Sequence, residues 1–111
     1  MNISMLFRGM EHSDAVEKYT NKELRKLNKF LNESFEPIYF DLVLQADKHR
    51  THHKVELRLR GTGLRLVAAR EGKDLYREID HVVKVMIKEL QKKKEKALDK
   101  RNHPDTPKSN F

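Results

Sequence analysis

The sequence predicts an α+β fold in the order β-α-β-β-β-α, with a four-stranded sheet and two helices packed on one face. Two observations lead there. Apolar residues alternate with polar ones in four short segments, which is the period of half-buried strands. In two longer segments they recur at helical spacing, and each such stripe needs another layer to bury against.

The first strand is "NISMLFRG", where Ile3, Met5 and Phe7 alternate with Asn2, Ser4 and Arg8. Ser13 is placed to N-cap a helix, with Asp14 and Glu17 in the first turns, where acids favour the helix dipole. Val16, Tyr19, Leu24, Leu27 and Leu31 keep helical spacing, so the helix is expected to run to about Ser34 and to stop before Pro37. "IYFDLVLQAD" alternates again, with Ile38, Phe40, Leu42, Leu44 and Ala46 on one face. After the polar turn "KHRTHH", Val55, Leu57 and Leu59 point inward and Lys54, Glu56, Arg58 and Arg60 outward. Gly61-Thr62-Gly63 turns the chain into "LRLVAARE", whose buried positions are expected at Leu66 and Ala68. Gly72 ends that strand, and Asp74 caps a long second helix with Leu75, Ile79, Val82, Val83, Met86 and Leu90 as its buried stripe. The first two strands flank a helix and are expected to be parallel through a right-handed crossover; the rest form hairpins.

Charge narrows the function classes. Among 111 residues, 24 Lys and Arg face 17 Asp and Glu, a formal charge of +7 that favours an anionic partner. Lys84, Lys88, Lys92 and Lys96 recur every four residues along the second helix, and Lys93 and Lys94 widen that ridge. Because its apolar stripe stops at Leu90, the last turns of this helix should project from the body. Lys18, Lys22, Arg25 and Lys29, with Lys26 beside them, make a second ridge on the first helix. The free sheet face adds Lys54, Arg58, Arg60 and Arg65, opposed in the third strand only by Glu56. Exposed lysines are often mere solvation, and Glu95 and Asp99 lie within reach of Lys92 and Lys96. Two helical ridges and a sheet face that are all basic shift the balance toward a phosphate-binding surface. Contact with about six phosphates would cost about a thousandfold in affinity between low and moderate salt. The aromatics mostly fit core positions, so backbone and shape contacts are expected rather than base reading.

Other chemistry is thin. Asp47, His49, His52 and His53 share one turn, but a polar hairpin loop is the better reading than a metal cluster. No phosphate-cradling glycine loop or catalytic carboxylate pair stands out, so no enzyme, metal or cofactor is expected. With no cysteine and no apolar run near the ~18 residues of a span, a cytoplasmic protein off the membrane is expected. Residues 1–100 read as one domain and 101–111 as a tail, in which Pro104 and Pro107 stand among small polar residues.

"EGKDLYREID", residues 71–80, with the basic run that follows, resembles the ribosome hibernation-promoting factor and ribosome-associated inhibitor family, also called sigma-54 modulation proteins. That family typically carries E-G-x-D-M-Y-x-A-I-D before an R-Q-L-x-K-x-K helix. Here Glu71, Gly72, Asp74, Tyr76, Ile79 and Asp80 match, Leu75 replaces Met, and Glu78 stands where Ala is usual. Residues 88–94, "KELQKKK", fit with Lys for Arg and Glu89 for Gln. "LRKLNKF", residues 24–30, fits the family's first helix less specifically.

The resemblance covers roughly residues 1–100 and implies a fold similar to a double-stranded RNA-binding domain with an added strand. It implies binding to 16S-type ribosomal RNA in the messenger and transfer RNA channel of the small ribosomal subunit, and inhibition of translation in stress or stationary phase. By carry-over, Lys88, Lys92 and Lys94 are the best-matched RNA contacts, and Lys22, Arg25, Lys26 and Lys29 follow from position. Lys84 and Lys93 complete the expected set. Long members append a dimerising domain, so a short form, monomeric off the ribosome, is expected. The rival readings are a general double-stranded RNA-binding module and a protein-interaction regulator.

Overall fold

The computed structural model describes residues 2–47, 49 and 51–102, with side chains described as far as Lys93. Its elements are β1 (Asn2–Arg8), α1 (Asp14–Arg25), β2 (Tyr39–Ala46), β3 (His53–Gly61), β4 (Leu64–Gly72) and α2 (Leu75–Asn102). The sheet order is β1-β2-β3-β4, with β1 and β2 parallel and both other pairs antiparallel. This is the predicted β-α-β-β-β-α arrangement.

Register explains why one sheet face is apolar. Ile3 stands opposite Phe40, Leu42 opposite Leu57, and Leu57 opposite Ala68, so the inward positions of all four strands share rows. Phe40, Leu44, Val55, Leu57 and Leu59 are fully buried there against Leu24, Leu27, Ile79, Val82 and Met86 from the helical side. In β4 the buried positions are Leu64 and Ala68, with Leu66 half-buried at the rim of the core.

Both helix starts form as the residues dictate. The Ser13 hydroxyl accepts the Val16 amide at 3.2 Å, and the Asp74 carboxylate accepts the Tyr76 and Arg77 amides at 3.1 and 3.4 Å. Each cap satisfies amides that the first turn leaves without partners.

The end of α1 differs from expectation. The α-helix stops at Arg25, and the Lys26 and Leu27 amides bond back three residues, to the Glu23 and Leu24 carbonyls. Short 3-10 turns follow at Asn28–Phe30 and Glu33–Phe35, the second capped by the Asn32 side chain on the Ser34 amide. Asparagine side chains compete with the backbone for such bonds, which favours turns over continued helix. The tighter path keeps Leu27 buried while Leu31 and Phe35 still pack on the core.

Parallel pairing of β1 and β2 forces α1 to run back along the sheet. Strand β4 is itself parallel to β2, so α2 returns in the same sense as α1. At 28 residues α2 is about 42 Å long, whereas a nine-residue strand spans about 30 Å. The helix therefore outruns the sheet, and among the described side chains its last buried one is Leu90.

Two glycines mark tight backbone. Gly9 has φ 67°, and a Cβ there would sit 2.2 Å from the Ala46 carbonyl oxygen; Gly63 has φ 69° with open space around it. Gly63→Ala is expected to cost about 1–2 kcal/mol from the left-handed backbone alone. Gly9→Ala adds a clash with backbone and should cost clearly more, read as a larger drop in the urea midpoint.

Candidate nucleic-acid interface

Both helices cover the same sheet face, so their outward sides form one surface. On α1 the buried residues Val16, Thr20 and Leu24 leave Lys18, Lys22 and Arg25 on the opposite, exposed side. On α2 the stripe through Ile79, Val83, Met86 and Leu90 leaves Lys84, Lys88 and Lys92 exposed. The cause is the helical period: a charge two positions from a buried residue points away from it.

The ridges differ in detail from expectation. Lys26 lies in the turn after α1 and Lys29 in the first 3-10 turn, both exposed. Lys29 extends over the Phe30 ring at 5.6 Å. Lys93 is half-buried, two helical turns beyond buried Met86, on the flank toward the body rather than on the outer ridge. The side chains of Lys94, Lys96, Glu95 and Asp99 lie outside the described residues, as does the stretch 103–111.

Carboxylates neutralise two of these cations. Glu23 takes Lys26 at 2.9 Å, and Glu89 takes Lys92 at 3.4 Å. Lys22, Arg25, Lys84 and Lys88 have no ion-pair partner among the described residues. The Lys92–Glu89 pair is exposed and of a kind that contributes little stability and opens readily to a competing phosphate, whereas the Glu23 end of the other pair is buried.

The two helices are tied by a contact between residues far apart in sequence. The Tyr19 hydroxyl donates to Asp80 at 2.5 Å, and its ring meets Tyr76 edge-on with centroids 4.8 Å apart. The hydrogen bond to Asp80, with burial and the nearby carboxylate charge, pushes the Tyr19 pKa up to about 12. The raised value means the folded state keeps the proton longer than the unfolded chain. The stabilisation is whole below pH 10 and is lost as pH rises through 12. Tyr19→Phe should be less stable than the parent at neutral pH, and the gap should narrow over pH 10–12, as read by urea denaturation.

Two buried carboxylates went unforeseen. Glu78, only 6% exposed, fills space left by Gly72, where a Cβ would lie 2.4 Å from its Oε2. Its Oε1 lies 3.3 Å from His81 Nδ1, so His81 belongs to this pair rather than to the lysine ridge. Glu23 is the other.

Among the described residues the histidine turn forms no group with metal-ligand spacing. The Asp47 carboxylate accepts the His49 amide, His52 faces Glu71 at 3.3 Å, and His53 meets the Lys73 carbonyl at 3.2 Å. Among the described residues the one group with metal-ligand spacing is His12, Asp14 and Glu17, exposed at the start of α1. There His12 pairs with both acids, an arrangement that also suits a helix N-terminus.

The free sheet face is mixed rather than uniformly basic. Cross-strand register brings Asp41 of β2 to Arg60 at 3.2 Å, and Glu56 takes Arg58 at 2.8 Å. Among the described residues no helix is long and apolar enough to cross a membrane.

No curated protein matches the chain significantly. Among solved structures, the Protein Y N-terminal domain of Thermus thermophilus is similar at a TM-score of 0.71 and 25% identity, over 83% of this chain and 98% of that one. A ribosomal subunit interface protein from Coxiella burnetii shares the fold at a TM-score of 0.70 and 21% identity, over 86% of this chain and 99% of its own. The family model described as Sigma 54 modulation protein / S30EA ribosomal protein matches residues 3–98. With that match over nearly the whole folded region, the chain belongs to the Sigma 54 modulation protein / S30EA ribosomal protein family.

Proposed function

We propose that this protein is a ribosome hibernation factor. It binds the small ribosomal subunit in the channel used by messenger and transfer RNA, and it inhibits translation under stress or in stationary phase. The observation that carries this reading is the surface made by Lys22, Arg25, Lys84 and Lys88, cations without an ion-pair partner among the described residues, on the outer side of one helical layer. Family membership and the likeness to a protein named for the ribosomal subunit interface support the choice of target. The mechanism is competition without catalysis: two basic helices neutralise phosphates of 16S-type ribosomal RNA where other RNAs pass. Residues 1–100 act as the binding domain, in the cytoplasm, with 101–111 as a tail, and no metal or small molecule takes part.

A competition experiment tests the target. Protein bound to isolated small subunits is challenged with excess plain duplex RNA and, separately, with free ribosomal RNA. The proposal expects the complex to survive plain duplex at concentrations where ribosomal RNA displaces it. Equal displacement by both would make the chain a general duplex-RNA module.

A further inference from the structure

Strand β4 is an edge of the sheet, and only half of its backbone is used. The two-residue connection Thr62-Gly63 makes Gly61 and Leu64 the closing pair of the β3–β4 hairpin, and such a pair exchanges backbone bonds. Alternation then gives the amides and carbonyls of Leu64, Leu66, Ala68 and Arg70 to β3. Those of Arg65, Val67, Ala69 and Glu71 point away from the sheet. The far side of β3 keeps the same phase, since the Asp47 amide bonds the His52 carbonyl at 3.1 Å. The outward groups of β4 have no backbone partner among the described residues. No bulge blunts this edge, because its register runs unbroken from Gly72 opposite His53 to Leu64 opposite Gly61. The side chains of Arg65, Val67, Ala69, Arg70 and Glu71 are exposed, Val67 by 57%.

The residue pattern of this edge complements itself. When β4 is laid antiparallel on a second copy about an axis at Ala68, Arg65 stands opposite Glu71 of the copy and Val67 opposite Ala69. All four are outward-bonding residues, so the same register satisfies the free backbone. On the helical side the small Ala68 meets itself at the axis, where a non-bonded pair comes closest, and the Arg70 stem covers half-buried Leu66. Neighbouring registers lose the charge match: Arg65 meets Ala69 with Val67 at the axis, and Lys73 with Ala69 there. Arg65 has no ion-pair partner among the described residues. Glu71 faces His52 at 3.3 Å, and a carboxylate has acceptor sites left for a second donor. The other edge, β1, carries Arg8 as its one charge and encodes no such register. We propose that β4 is a self-pairing surface, through which two copies join into one continuous sheet with both helical layers on the same side. A contact one strand wide falls well below the standard interface of about 1,600 Å², so the dimer is weak, with Kd on the order of 0.1 mM. The chain is monomeric when dilute and pairs as it concentrates. This inference is independent of the ribosome reading and uses none of the helical cations.

The test is sedimentation velocity of the full chain from about 10 μM to about 1 mM, in about 0.15 M salt. The parent should move from monomer toward dimer mass over that range. Arg65→Glu and Glu71→Arg should each weaken pairing roughly tenfold or more, because both axis-related pairs turn repulsive. Arg65→Glu combined with Glu71→Arg restores opposite charges and should recover pairing to within about threefold. Leu6→Lys, on the β1 edge, should leave pairing unchanged. Hydrogen exchange at the Val67 and Ala69 amides should slow as concentration rises, while Leu66 and Ala68, already bonded to β3, stay constant. All of these variants change exposed side chains, and circular dichroism checks that each folds. A monomer throughout the range, a dimer indifferent to either reversal, no recovery in the double variant, or loss of pairing in Leu6→Lys would overturn the inference.

Discussion

Lys88→Glu combined with Lys92→Glu is expected to abolish cosedimentation with small ribosomal subunits while leaving the fold intact. Both side chains are exposed on α2, beyond or beside the end of its buried stripe. Among the described residues the one ion pair lost is Lys92–Glu89 at 3.4 Å, which as an exposed pair contributes at most about 1 kcal/mol. Binding suffers far more. Each charge-assisted bond to phosphate is worth about 1.5–3 kcal/mol, so two lost contacts weaken affinity at least a hundredfold before the new repulsion is counted. The slope of affinity against salt should also flatten by about one unit per lost contact. Undiminished cosedimentation, or unfolding seen by circular dichroism, would contradict the assignment of these lysines.

Val83→Asp should do the reverse and remove the fold. Val83 is 2% exposed in the core shared by both helices and the sheet. A carboxylate placed there without a partner costs several kcal/mol, against a total stability on the order of 5–15 kcal/mol for a domain of this size. Val83→Ala removes only apolar atoms and should cost about 2 kcal/mol, leaving a cooperative transition at a lower temperature. A melting curve distinguishes the two: Val83→Asp should lack the folded baseline at 25 °C, and Val83→Ala should keep it.

Periodicity made most of the fold legible. Alternation in "NISMLFRG" and "KVELRLRG" specified both the strands and their buried faces, because a one-residue slip would expose every apolar side chain. Lysines four apart specified the α2 ridge for the same geometric reason. The misses share a different physics. The early end of α1 depends on the Lys26 and Leu27 amides tightening to bonds three residues back, and on Asn32 capping a later turn, while Leu27 and Leu31 still reach the core, a balance that spacing does not reveal. The Tyr19–Asp80 clasp joins positions 61 residues apart, and the Arg60–Asp41 pair depends on the register of β2 against β3. Glu78 stands out in "EGKDLYREID" only against the Ala usual in the resembled family, and its burial follows from the space left by Gly72.

Cryo-electron microscopy of ribosomes mixed with this protein is the most direct test of the account. The prediction is density for the domain in the messenger and transfer RNA channel of the small subunit, with Lys22, Arg25, Lys84 and Lys88 against ribosomal RNA phosphates. An empty channel at saturating protein, or density with the helical layer turned to solvent, would contradict it.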